Sequence, residues 1–292
     1  MDANQINLIA DAFKIRCSAI YDICLGTIGL TDKQELRYAE LFARAKGEGK
    51  PLTANMEVEL AGLIEKKNNP ELPETAKTYC KKWLKEYLYH RRKDIKSKYL
   101  DKGNLSEEDG FTLMAIQLNL GMVYKNTQYH SNDYMQGTDD LFVKSVVYDN
   151  KCSFDLDTFP MFESEIPDEK YDWQINGYCE LRGVVDGKLC YTLIDAPLEI
   201  IEREIKWLTS HNDIYKRVSE LVYTKANFDV LKANLFPDAT FDYFVEIPAE
   251  DRIKTFEIKK DPAKIETIKQ RVPMCREYIK SLLLAKYEQN AN

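Results

Sequence analysis

Apolar residues recur at helical spacing from the amino terminus to about Leu63, first as Ile6, Ile9, Ala10 and Phe13 and then as Leu36, Ala39, Phe42 and Ala43, which predicts a helical lobe. The pairs Asn69-Pro70 and Leu72-Pro73 interrupt it. A long helix is expected from Glu74 to about Tyr99, with Tyr79, Trp83, Tyr87 and Leu88 on one side and basic residues largely on the other. After Gly103 a second helix is expected from about Ser106 to Met122.

The pattern changes between Gln136 and Phe154. There GTDDLFVKSVVYDNKCSF carries β-branched and aromatic residues in two short runs, which predicts two adjacent antiparallel strands. Downstream, YDWQINGYCELRG has a helical pattern, Lys188 to Asp195 reads as a buried strand, and Pro197 suits the first turn of a helix PLEIIEREIKWL. A helix over about Asp213 to Leu235, a strand over Ile253 to Ile258 and a closing helix from Pro262 to about Tyr287 follow. This order implies an α/β core with helical additions at both ends: a lobe over 1–70, a core over 71–210 that includes the basic helix, and a mainly helical part over 211–292 packed on the core as one continuous domain.

At 292 residues and 44% hydrophobic content the chain can bury a sizeable core. No stretch approaches the roughly 20 apolar residues of a membrane span, and MDANQINLIADAFKIRC lacks the layout of a secretory signal, so a cytoplasmic protein is expected. The seven cysteines are scattered, never as C-x-x-C, which argues against a disulfide framework or a zinc ribbon. His90, His130 and His211 are likewise too dispersed for a zinc site.

The net charge of -7 speaks against a nucleic-acid binder only if charge is spread evenly. It is not. From Lys77 to Lys102 the residues Lys77, Lys81, Lys82, Lys85, Arg91, Arg92, Lys93, Lys96, Lys98 and Lys102 face only Glu86, Asp94 and Asp101.

The candidate chemistry sits on the predicted hairpin. Hydrolysis of a phosphodiester with a bound metal needs carboxylates to hold the ion, a positive group near the attacking water or the phosphate, and a rigid scaffold. Asp140 falls at the start of the first strand, while Asp149 and Lys151, two apart on the second, project from one face because side chains alternate along a strand; Asn150 points the other way.

GTDDL followed by D-N-K resembles the signature of PD-(D/E)XK nucleases, in the GTPDL...DIK form of phage exonucleases, with Asp139 where those relatives usually carry proline. Gln174 and Tyr178 match the Q-x-x-x-Y motif of the RecB-like and YqaJ-like branch. They fall one turn apart on a helix face, where amide and hydroxyl can contact a DNA phosphate or orient a neighbour. Gly103 and Glu107, in GNLSE, fit the upstream G-x-x-x-E element, with Glu108 as the competing register and Ser106 a candidate cap. The resemblance covers roughly Lys102 to Pro197, about a third of the chain.

The resemblance implies a restriction-endonuclease-like fold, a central mixed sheet flanked by helices, and a magnesium-dependent DNA exonuclease that resects double-stranded ends. Asp140, Asp149 and Glu107 would hold Mg2+, which Mn2+ can replace. Lys151 would assist at the phosphate, and Gln174 with Tyr178 would orient the strand. Arg91, Arg92 and Lys96 would guide the DNA backbone, with Tyr89, Tyr99 or Trp83 as stacking surfaces. Such enzymes often form rings and work beside a single-strand-annealing protein, which points to phage recombination or replication in the host cytoplasm. An endonuclease or structure-specific nuclease with the same metal chemistry, and an inactive DNA-binding module on the same fold, are the alternatives.

Overall fold

A computed structural model describes residues 1–93, 97–238 and 243–288. Chain contacts divide it into two compact units, one of Met1–Ile15, Ala19–Arg92 and Glu266–Asn292, the other of Arg16–Ser18 and Lys93–Ile265. Apart from Arg16–Ser18, the units meet at 92/93 and 265/266.

The first unit is helical: α1 (Ala3–Asp11), α2 (Ile20–Cys24), α3 (Asp32–Ala45), α4 (Ala54–Asn68), α5 (Glu74–Tyr89) and most of α12 (Pro262–Glu288). Capping boxes start α1, at Asp2 and Gln5, and α3, at Thr31 and Gln34. The basic helix α5 belongs to this unit because its apolar side, Ala76, Cys80, Trp83 and Leu84, is buried in it, with Trp83 edge-on to Phe13 at 5.0 Å. Its extent is corrected: His90 turns left-handed at φ 51, so the helix stops at Tyr89, and Arg91 and Arg92 lie beyond it.

The second unit holds a four-stranded mixed sheet. β1 (Ile15–Arg16), β2 (His130–Ser131) and β3 (Met135–Gly137) form a small separate sheet; the main one orders β4 (Leu141–Val143), β5 (Val146–Cys152), β6 (Asp186–Thr192) and β7 (Ile253–Lys259) side by side. β4 and β5 are antiparallel, as the pattern predicted, and the turn between them is Lys144-Ser145, both at positive φ (50 and 62), the backbone of a two-residue I′ hairpin. β5 and β6 run parallel, with α8 (Glu169–Arg182) in the crossover, and β7 closes the edge antiparallel to β6.

The two faces of β5 and β6 meet different helices. On one face α7 (Glu107–Gln117) buries Phe111 and Met114 with Tyr148 and Cys190. On the other α8 brings Ile175 and Cys179 against β6 at Gly187. α6 (Lys98–Leu105) precedes α7, and Ser106 between them does not cap α7 with its side chain, contrary to expectation; the hydroxyl is fully buried.

The helix expected over 213–235 is two, α10 (His211–Ser219) and α11 (Lys225–Leu235), following α9 (Leu198–Ile205). Asp195 is the physical cause: its Oδ1 accepts the backbone N–H groups of Tyr223 (2.6 Å) and Thr224 (3.2 Å), which breaks the helical ladder there. These helices close a second core around Tyr215, Phe228 and Phe236.

Candidate active site

The hairpin delivers three predicted residues to one place. Asp140 immediately precedes β4, and its Oδ2 accepts the Asn150 N–H of β5 at 2.7 Å. Asp149, 1% exposed, stands on β5 with Oδ1 accepting from Gln174 Nε2 of α8 at 3.1 Å and Oδ2 at 2.5 Å from Lys151 Nζ. The same Gln174 amide lies 3.1 Å from the Tyr178 hydroxyl, one turn along α8. The Tyr178 ring lies so close to β3 that a Cβ at Gly137 would fall 2.9 Å from its Cε1, and only glycine leaves that space.

Beside these residues lies a cavity of about 410 Å³. Asp140, Glu107 and Lys151 line it together with Tyr99, Tyr171 and Tyr191. Lys151 Nζ also sits 4.8 Å over the Tyr171 ring.

Charges in this pocket act on one another. Burial and then the neighbouring Asp149 charge raise the Asp140 carboxyl to about 7, with Glu107 adding a smaller push and Lys151 opposing it. For Lys151 burial alone would favour the neutral amine, but Asp149 and Asp140 more than offset it and hold the ammonium above its ordinary range. Burial, then Asp149, pushes the Tyr178 phenol up, so it remains a neutral hydroxyl.

Glu107, the first residue of α7, reaches the cavity from the opposite face of β5 and is ion-paired with Lys125. Glu108 is exposed and does not line the cavity. Among the described residues no three His, Cys, Asp or Glu side chains are gathered closely enough to hold a metal ion. The reason is visible in the pairing: Asp149 and Glu107 are each drawn onto a lysine, and Asp140 onto a backbone N–H. The donor chemistry nevertheless fits a hard divalent cation, since the oxygens are carboxylates and Asp140 already bears the cost of anionic neighbours that a cation would relieve.

The basic island resolves into different roles. Lys81, Lys82, Lys85, Arg91 and Arg92 are exposed in the first unit, and Lys96 lies outside the described residues. Lys77 pairs with Glu71 and Glu74, and Lys98 with Glu204 at 3.3 Å. Lys102 is no surface cation at all. Fully buried, it donates to the carbonyls of Ser153 (3.0 Å) and Phe154 (2.7 Å) just beyond β5, and burial lowers its pKa to about 8. Trp83, expected as a stacking surface, is 7% exposed and belongs to a core; Tyr89 and Tyr99 are exposed.

Two residues near the site escaped the sequence reading. Lys125 sits in an irregular segment with no pattern to mark it, held there by the Asn126 N–H, which donates to the Asp140 carbonyl at 2.8 Å. Arg182 had a signal, since it continues the spacing of Gln174 and Tyr178 by one more turn.

The whole-chain comparison agrees with this architecture. The crystal structure of a phage-related exonuclease from Haemophilus somnus 129PT superposes with a TM-score of 0.61 at 24% identity, covering 94% of this chain and 96% of that one. The chain has the fold of that exonuclease. An alkaline exonuclease from Laribacter hongkongensis shares the fold at a TM-score of 0.52 and 10% identity, over 99% of this chain and 98% of that one. The restriction-endonuclease-like fold expected from the motifs, a mixed sheet flanked by helices, is thereby borne out. No family model matches the chain, and no curated protein matches it. No described helix is long and apolar enough to cross a membrane.

Proposed function

We propose that this protein is a divalent-metal-dependent DNA exonuclease that resects double-stranded ends. The observation that carries the reading is the convergence of Asp140, Asp149, Lys151 and Gln174 beside one cavity, on a fold shared with exonucleases. Asp140, Asp149 and Glu107 would hold Mg2+ or Mn2+. A bound ion of this kind polarises the phosphate and lowers the pKa of its water.

The chain's own residues supply the rest. Lys151 keeps its proton between two carboxylates, so it presents a fixed positive charge to the scissile phosphate once those carboxylates are otherwise engaged. Gln174 holds Asp149 by one N–H, and the neutral Tyr178 hydroxyl braces that amide or turns to a phosphate oxygen. Tyr99 lines the cavity and remains a proposed stacking surface, while Lys151 and Lys170 lie over the ring of Tyr171. Arg91, Arg92 and Lys96 remain proposed guides for the DNA backbone. Action beside a single-strand-annealing protein, in a ring, in phage-type recombination within a host cytoplasm belongs to the same proposal.

The test is cleavage of end-labelled linear duplex and covalently closed circular DNA, with magnesium or chelator, by wild type and Asp140→Asn. Magnesium-dependent loss of the linear form alone, absent in the variant, is expected. Nicking of the circle would make the protein an endonuclease. Full activity in Asp140→Asn would refute the site.

A further inference from the structure

We infer that Arg182 and Asp139 are positioning residues for Asp140, a clamp that fixes the approach to the first carboxylate from outside the hairpin; the inference rests on the function proposed above. Gln174, Tyr178 and Arg182 form a stripe along one face of α8, and each engages a different point of the site. Gln174 bonds Asp149, the Tyr178 ring lies against Gly137, and Arg182 closes on Asp139.

The last contact is a two-pronged one. Arg182 Nε donates to Asp139 Oδ1 at 2.8 Å and Nη2 to Oδ2 at 3.1 Å, in the fork geometry that suits a carboxylate. Asp139 is 2% exposed. The guanidinium also sits 4.6 Å over the ring of Phe142 on β4, so one side chain grips the chain before and after Asp140. From the other side Asn126 Nδ2 donates to the Asp139 carbonyl and Oδ1, both at 3.3 Å, and the Asn126 N–H to the Asp140 carbonyl.

An aspartate does not restrict its own φ as a proline does. The direction from which Asp140 enters the cavity is then set by whatever holds residue 139, and a buried ion pair to a helix that also carries Gln174 does so while tying both carboxylates to one rigid element. A buried charge pair is an uncertain source of stability, since desolvation offsets much of its attraction, but it fixes geometry.

Removing one partner alone would strand a buried charge and endanger folding, so the decisive variant is the double Asp139→Ala/Arg182→Met, which leaves no unpaired charge. Arg182→Lys, which keeps charge but not the fork, is its conservative companion. Four readouts are taken: the melting temperature, Mn2+ affinity by calorimetry, affinity for duplex DNA in chelator, and kcat and KM for linear duplex. We expect a folded double variant with kcat and Mn2+ affinity each reduced about 10- to 100-fold, the usual effect of losing a support behind a metal ligand. DNA affinity in chelator and KM should stay near wild type, and Arg182→Lys should fall between. A variant that melts lower yet keeps wild-type kcat and Mn2+ affinity would show a merely structural pair and overturn the inference. If wild type binds Mn2+ without cleaving DNA, the proposed function fails while the calorimetry still tests the clamp; if wild type does neither, both fall.

Discussion

The packing of α7 against β5 makes Gly110→Ala a sharp test of how Glu107 is placed. A Cβ at this position would fall 2.3 Å from Asn150 Nδ2, 3.0 Å from Thr192 Oγ1 and 3.2 Å from Cys152 Sγ. Ordinary contact begins at 3.4 Å, so the Asn150 amide must leave or α7 must lift by 1.1 Å, the difference between 3.4 and 2.3. Overpacking of this size costs about 1–3 kcal/mol. Expelling Asn150 would forfeit its 2.9 Å bond from Thr192, a loss of about 1 kcal/mol. The better helix propensity of alanine returns roughly 0.5–1 kcal/mol.

The net loss of roughly 1–3 kcal/mol should lower the melting temperature by a few degrees to about 10 °C. Glu107, one turn earlier, moves with the helix, so cleavage should fall more than the loss of folded protein explains. Gly62→Ala is the matched control: in α4 nothing lies within 4 Å of its added Cβ, and it should gain about 0.5–1 kcal/mol with cleavage unchanged. Thermal melts and initial cleavage rates on linear duplex decide it. A Gly110→Ala protein as stable and active as wild type, or an inactive Gly62→Ala, would refute the reasoning.

Other expectations are equally concrete. Lys102 has a folded pKa of about 8 against an ordinary 10.5, so the unfolded chain holds a proton that the folded one releases between those values. Its contribution to stability therefore rises with pH over that window, by at most about 3 kcal/mol; urea melts at pH 7.5 and 9.5 should show the rise in wild type relative to Lys102→Met, and identical slopes would contradict it. Asp140, raised to about 7, takes up a proton as pH falls through that value; Mn2+ affinity by calorimetry should weaken below it by up to about tenfold per unit, and pH-independent binding from 5.5 to 8 would exclude Asp140 as a ligand. Gln174→Leu leaves Asp149 Oδ1 without its 3.1 Å donor, which should cost about 1–3 kcal/mol and lower kcat; an unchanged kcat would remove Gln174 from the site. Lys125→Ala frees Glu107, so Mn2+ should bind at least as tightly as in wild type, and a large loss of affinity would show that the lysine does more than pair with it.

The sequence by itself determined the local features. Periodicity marked the hairpin, the crossover helix and a strand over 188–195, which the structure places at 186–192, because strand alternation and the helical repeat depend only on which neighbours are apolar. It also put Asp149 and Lys151 on one face and Gln174 and Tyr178 on another, since two and four residues are the repeats of those elements. Tertiary structure decided the rest. That Lys102 is internal and not part of a basic surface depends on the carbonyls of Ser153 and Phe154, some fifty positions away. The break before α11 depends on Asp195 reaching two distant N–H groups, and the place of Arg182 depends on a partner 43 residues back in the chain. Likewise Glu107 and Asp149 come from opposite faces of one strand and are held by separate lysines. Spacing along a chain encodes which face a side chain takes; the partner waiting at that face comes from residues remote in sequence, and only folding brings them within a hydrogen bond's length.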